Sequence, residues 1–205
     1  MSRRKYHHGD LKRALIKAAL ELLAEGGVQA LTLRAAARAA GVSPAAPYRH
    51  YEDKAALLAA VATEGFTTLT DRLRQARASV DDPLEQLRRT AVAYVEFAAE
   101  CTPHFRVMFG HELTERARFG DLVEAADAAH AELTGAIETC QAAGIIRPGD
   151  PQYLAMSAHA MVHGVASLGM AGQLGRPVDD LGEVANRLTA NLFFGVSALG
   201  RPPGT

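Results

Sequence analysis

Tyr48, Arg49, His50 and Lys54, all able to donate hydrogen bonds to an anion, stand close together within GVSPAAPYRHYEDK, residues 41–54. A phenol, an imidazole N–H and an ammonium are phosphate donors, and a guanidinium can also grip two acceptors on a guanine edge. Pro44, Ala45 and Ala46 ahead of them are small, which leaves room for apolar contact with a thymine methyl. Lys54 at the start of a helix opposes the helix dipole, a placement that a bound phosphate would offset. Pattern alone leaves two readings open. Either a turn of helix presents these groups, or the stretch is a surface loop with a structural tyrosine.

The elements around the stretch bear on that choice. Leu11, Leu15, Ala18, Leu22 and Leu23 recur at helical steps from Asp10 to Glu25, and Gly26-Gly27 supplies a stop. Thr32 is placed to cap a short helix, Leu33–Ala40, that ends at Gly41. Ser43 can cap the next element. Pro44 suits a first helical position, but Pro47 removes the N–H that should bond back to the cap carbonyl. The segment is therefore expected to be a stubby second helix with a distorted or 3₁₀ first turn, or one starting at Ala46. With Leu33–Ala40 it makes a helix–turn–helix whose small Ala36, Ala37 and Ala40 permit a close crossing.

Helical periodicity continues to the C-terminus, with helices expected over Lys54–Ala78, Pro83–Cys101, His104–Phe109, Asp121–Ala143, Pro151–Leu174 and Asp180–Leu199. No alternating strand pattern interrupts them. The net charge of −1 hides a division. Residues 1–54 carry ten Lys and Arg against five acids, including all four lysines, and the remainder carries 12 against 18. A basic head on an acidic body points to a polyanion partner at the N-terminal end, including the arm Arg3, Arg4 and Lys5. Two cysteines, Cys101 and Cys140, are too few for a disulfide framework. No run of about eighteen apolar residues occurs, and the basic N-terminus lacks a following apolar stretch, so a cytoplasmic protein without a membrane span is expected.

Enzyme chemistry finds little support. His159 and His163 share a helix face, and His104, His111 and His130 could add metal ligands, so a helical metalloprotein or enzyme built on His104, His159 and His163 is the competing reading. HELTE, residues 111–115, lacks the second histidine of a zinc-protease motif, and no nucleophile elbow, phosphate-binding loop or dinucleotide fingerprint is present. No cofactor and no metal are expected.

Residues 11–58 resemble the DNA-binding domain of TetR-type transcriptional regulators. The resemblance rests on LTLRAAARAAGVSPAAPYRHYEDKAALL, in which a Thr-capped helix, a GVS turn, a Tyr-x-His block and a Lys-x-x-Leu helix start stand in family order. Ala36 and Tyr51 depart from the usual larger aliphatic and phenylalanine, both at packing positions. The resemblance implies contacts with double-stranded DNA by Thr32, Arg34, Ser43, Pro44, Ala45, Tyr48, Arg49, His50 and Lys54. MVHGV, residues 161–165, resembles a subgroup named for a Trp-His-Gly signature, with Val162 in place of the tryptophan.

The fold so implied is all-α, with about nine helices: a three-helix DNA-binding head at 1–54, a connecting helix at 55–80, a helical effector-binding and dimerisation domain at 81–200 and a disordered tail at 201–205. Phe97, Phe105, Met108, Phe109, Met156 and His163 are candidates for the pocket of a small-molecule effector. Met161, Gly164, Val165, Leu168, Leu188, Leu192 and Val196 are candidates for a homodimer face. Gly164, Gly169 and Gly195 would permit close approach there, or serve packing within one chain. The expected activity is that of a dimeric repressor released from a palindromic operator by its effector.

Overall fold

A computed structural model describes residues 8–174 and 180–194, whose regular elements are helices joined by turns, with no strand among the described residues. The first helix, α1 (His8–Ala30), is interrupted at Gly27, whose φ of 63° and ψ of −165° break the helical run. A left-handed φ is open to glycine and costly for other residues. The last turn, Val28–Ala30, therefore leaves the axis of the helix, and Leu31 drops into the core with no exposed surface.

Thr32 then caps α2 (Leu33–Ala39), its Oγ1 accepting from the Ala35 N–H at 3.0 Å. At the other end Gly41 takes φ 67°, the Val42 N–H reaches the Ala37 carbonyl at 2.9 Å and the Gly41 N–H reaches that of Arg38 at 3.1 Å. These are the paired bonds of a Schellman stop. Ala36 and Ala37 are fully buried, so the family departure at Ala36 is a packing position, as is Tyr51 with 5% exposure.

The remaining elements are α3 (Lys54–Ala78), α4 (Pro83–Glu100), α5 (Thr102–Phe109), a 3₁₀ turn at Arg116–Arg118, α6 (Gly120–Ala142), α7 (Pro151–Met170) and α8 (Leu181–Phe194). Eight α-helices and two 3₁₀ turns are thus found among the described residues. Aspartates start four of them: Asp53, Asp82, Asp150 and Asp180 each accept from a backbone N–H of the following turn. Residues 1–7, 175–179 and 195–205, with the basic arm, Gly195, Val196 and the tail, lie outside the described residues.

Packing divides the chain into two units. The first runs through Phe66 and adds Cys101–Ala125; the second holds Thr67–Glu100 and the chain from Ala126 on. The grouping differs from the sequence boundaries because α5 packs on α1. The core of the first unit takes Leu15, Ala19 and Leu23 from α1, Leu57, Leu58 and Val61 from α3, and Phe105 and Met108 from α5. In the second, Leu87 of α4 meets Ile137 and Cys140 of α6, Ile146, and Ala155 of α7. Gly169 serves this unit internally: the tip of Leu181 occupies the space a Cβ would take, which lets α8 lie close on α7.

The Thr32 cap is a test of this arrangement. Thr32→Ala should lower unfolding stability by about 1 kcal/mol in a urea titration, and Thr32→Ser should keep most of it.

Candidate nucleic-acid interface

Pro47 determines the shape of the recognition segment. With no N–H on Pro47 to bond back four residues, the Ser43 carbonyl instead accepts from the Ala46 N–H at 2.9 Å, a three-residue step. The next coil is a 3₁₀ turn, Pro47–Arg49, closed by the His50 and Tyr51 N–H groups on the Pro47 carbonyl, both at 2.9 Å. The stubby helix expected from the sequence is therefore a 3₁₀ turn rather than an α-helix, and the link from Ser43 to that turn is its backbone carbonyl.

The turn faces water where its polar groups are. Tyr48 is 55% exposed. Arg49, Ser43, Pro44, Ala45, Thr32 and Arg34 are exposed, and His50 and Lys54 are half-buried. Pro47 and Tyr51 turn inward, with the Tyr51 hydroxyl pushed up to about 12 by desolvation first and the Glu64 charge second. The exposed guanidinium, phenol and small residues thus stand on a segment held from below by a proline and a buried tyrosine.

Lys54 has a second task that the sequence does not announce. Its Nζ donates to the Val28 carbonyl at 2.6 Å, tying the start of α3 to the residue after the Gly27 break. An ammonium has three donors, so two remain for an anion. Asp53 beside it caps α3 through the Ala56 N–H at 2.8 Å, a bond that is the main cause of its lowered carboxyl pKa. No local sequence signal could reveal a bond to a residue 26 positions away.

The histidines do not assemble as the competing reading requires. His104 belongs to the first unit and pairs with Glu64 at 3.2 Å, whereas His159 and His163 lie in the second. Among the described residues no group of three or more His, Cys, Asp or Glu side chains could hold a metal ion. His159 and His163 instead converge on the Tyr94 hydroxyl, at 3.2 Å to Nε2 and 2.9 Å to Nδ1. Tyr94 has 5% exposure, and its hydroxyl is pushed up by desolvation. Burial, then the charges of His163 and His130, bring His159 down to about 4; burial also lowers His163. Both rings are therefore neutral at physiological pH.

The other candidate residues divide by unit and by exposure. Phe105, Met108 and Phe109 lie in the first unit, with Phe105 and Met108 in its core; Phe97, Met156 and His163 lie in the second. Phe97 has no exposed surface, but Met156 is 54% exposed and lines no interior space within its own unit. Of the expected dimer residues, Val165 is already buried within its own chain, Met161, Gly164 and Leu188 are half-buried, and Leu168 is 44% exposed. Leu192 falls on α8. The residues that share Leu168's face of α7 are Tyr153, 67% exposed, Met156, Ala160 and Gly164, at steps of three and four. A Cβ at Gly164 would meet open space.

Comparison with known proteins agrees with the all-helical fold. A family model described as bacterial regulatory proteins, tetR family, matches residues 15–61, and one described as tetracyclin repressor-like, C-terminal domain, matches residues 87–192. An uncharacterized HTH-type transcriptional regulator of Haemophilus influenzae is 34% identical over 98 residues, 47% of this chain and 48% of the relative. The chain thus spans about half the length of that curated relative. A solved protein of unknown function from Rhodococcus sp. RHA1 superposes with a TM-score of 0.82 at 35% identity, over 93% of this chain and 97% of that one. The TetR family transcriptional regulator PfmR from Thermus thermophilus shares the fold, with a TM-score of 0.69 at 22% identity over 89% of this chain and 98% of that one.

The buried histidines set a pH dependence. An unfolded chain protonates His159 near 6.5, whereas the folded chain resists until about 4, so the unfolded state binds more protons in between. Stability contributed by this group should be constant above 6.5 and fall as pH drops toward 4, with His163 acting in the same direction. Thermal midpoints across that range should show the decline, and His159→Gln should make it shallower.

Proposed function

The chain belongs to the tetR family of bacterial regulatory proteins, which are DNA-binding transcriptional regulators rather than enzymes, and we propose that it is a repressor that grips a near-palindromic operator as a homodimer. The observation that carries this reading is the exposed Tyr48–Arg49 turn standing on the buried Pro47 and Tyr51. Its 3₁₀ coil directs Tyr48 to phosphates and Arg49 to base edges, Lys54 at the start of α3 adds a second phosphate donor, and Thr32, Arg34, Ser43, Pro44, Ala45 and His50 complete the contact surface. Two such heads would read half-sites about 34–36 Å apart. The head would comprise residues 1–54, with residues 55–80 as connecting helix and 81–200 as the regulatory part. No described helix is long and apolar enough to cross a membrane, which accords with the cytoplasmic location such a role requires.

The dimer reading rests on the uncharged outer face of α7. Tyr153, Met156, Ala160, Gly164 and Leu168 form one stripe of apolar and small residues without an acidic or basic group, a surface suited to a second copy of the chain. Met156 is accordingly assigned to this face. Effector recognition is assigned to the second unit, around Phe97 and His163, with Tyr94 and His159 supplying further polarity. A small molecule there would bias the equilibrium between operator-competent and incompetent states by its differential affinity for the two.

Selection of bound duplexes from a random pool tests DNA binding, symmetry and half-site spacing together; no enrichment, or enrichment without a repeated half-site, would overturn the operator reading. Tyr48→Phe should weaken binding to every duplex by about three- to tenfold, the worth of one hydrogen bond. Arg49→Ala should cost about 1–3 kcal/mol and shift the selected sequence at its base. Raising salt should weaken wild-type binding steeply as counterion release loses its advantage. Met156→Glu with Leu168→Glu should yield a helical monomer in sedimentation.

A further inference from the structure

The 3₁₀ turn at Arg116–Arg118 carries an arginine that reaches the recognition segment's exit. Arg118 donates through Nη2 to the Glu52 Oε2 and to the Asp53 Oδ2, both at 2.9 Å. These carboxylates lie between the donors of the proposed phosphate contact, two residues after His50 and one before Lys54. The turn that delivers Arg118 is itself fixed. Arg116 donates to the Met108 carbonyl and lies over the Phe66 ring, 5.7 Å from its centroid. The Arg118 and Phe119 N–H groups close the turn on Glu115 and Arg116, each at 3.0 Å, and the Arg118 guanidinium sits 5.3 Å from the centre of the Phe119 ring.

We propose that Arg118 is a positioning residue for DNA contact, which offsets half the negative charge of the Glu52–Asp53 pair and holds the pair aside, so that Tyr48, His50 and Lys54 meet the phosphate backbone against a weaker competing charge. The inference rests on the DNA-binding reading above. Glu52 is the group most in need of a counter-charge: its side chain is 83% exposed, on the same run of chain as the exposed Tyr48 and Arg49. Asp53 is committed to the α3 cap through its other oxygen, so it cannot move away from the contact surface without unwinding the helix start. The two hydrogens of Nη2 serve the two carboxylates, and the guanidinium stays charged at every physiological pH. A pair this exposed adds little to folding, so its value lies in the local field. The contact also places control of that field on a segment remote in sequence, immediately ahead of α6.

The test uses the full-length protein and a labelled random-sequence duplex, because the effect concerns phosphates and not bases. Arg118→Gln should weaken binding by between about three- and tenfold at low salt, and the difference should shrink as salt screens the exposed carboxylates. Adding Glu52→Gln to that variant should return most of the lost affinity, which a purely structural role would not allow. Arg118→Lys should fall between the wild type and Arg118→Gln. Glu52→Gln alone, at a residue too exposed to endanger folding, should bind as tightly as the wild type or more tightly. Unchanged binding by Arg118→Gln, or a loss that Glu52→Gln does not repair, would overturn the inference while leaving the DNA-binding reading intact. A wild type that ignores the duplex would overturn both.

Discussion

The bond from the Lys54 ammonium to the Val28 carbonyl closes a loop of chain that contains everything the interface needs. Between its two ends lie the Thr32 cap, α2, the Schellman stop at Gly41 and the 3₁₀ turn with Tyr48 and Arg49. Each is secured locally by short-range hydrogen bonds, but these fix only neighbours in sequence. The Lys54 tie supplies a cross-link over 26 residues, and it uses one of the three hydrogens of the ammonium. Gly27 breaks the helix first, so the Val28 carbonyl accepts the Leu31 N–H at 3.2 Å in a tight turn instead of a bond of a continuing α1, and its second lone pair takes the ammonium. A helix break, a lysine and a surface turn thus form one device for keeping a short element rigid while its outer side stays open to solvent.

What could be read from the sequence was what depends on neighbours. Thr32, Gly41, Pro83 and Pro151 announce helix ends through capping and stop chemistry that operates within a turn, and all four stand where helices begin or end. The helical spacing of Leu15, Ala18 and Leu57 marked buried faces in the same way. Pro47 posed a competition between two local geometries, and the missing N–H resolved it in favour of the tighter coil. Membership of the family was legible because the types, order and spacing of residues 32–58 repeat its pattern.

The interactions that tune the site were not legible, because they join residues far apart in the chain. Arg118 meets Asp53 across 65 positions, and Tyr94 meets His159 and His163 across 65 and 69. A histidine pair at helical spacing looks like a metal site until the buried tyrosine that occupies the space between the rings is located. Gly169 and Gly164 show the same limit: both sit on α7 five residues apart, yet one is filled by Leu181 and the other is open. Sequence spacing assigns a residue to a face, and only the neighbouring element decides whether that face is inside.

The Tyr94 hydroxyl has one hydrogen and two imidazole nitrogens to satisfy. It can donate to only one ring, so the other must be the tautomer that donates to it. The ring that does not receive the phenol's hydrogen thus carries its own proton on the nitrogen that faces Tyr94. That proton leaves the far nitrogen of the same ring as an acceptor, so one buried hydroxyl decides the polarity that a half-buried imidazole turns away from it.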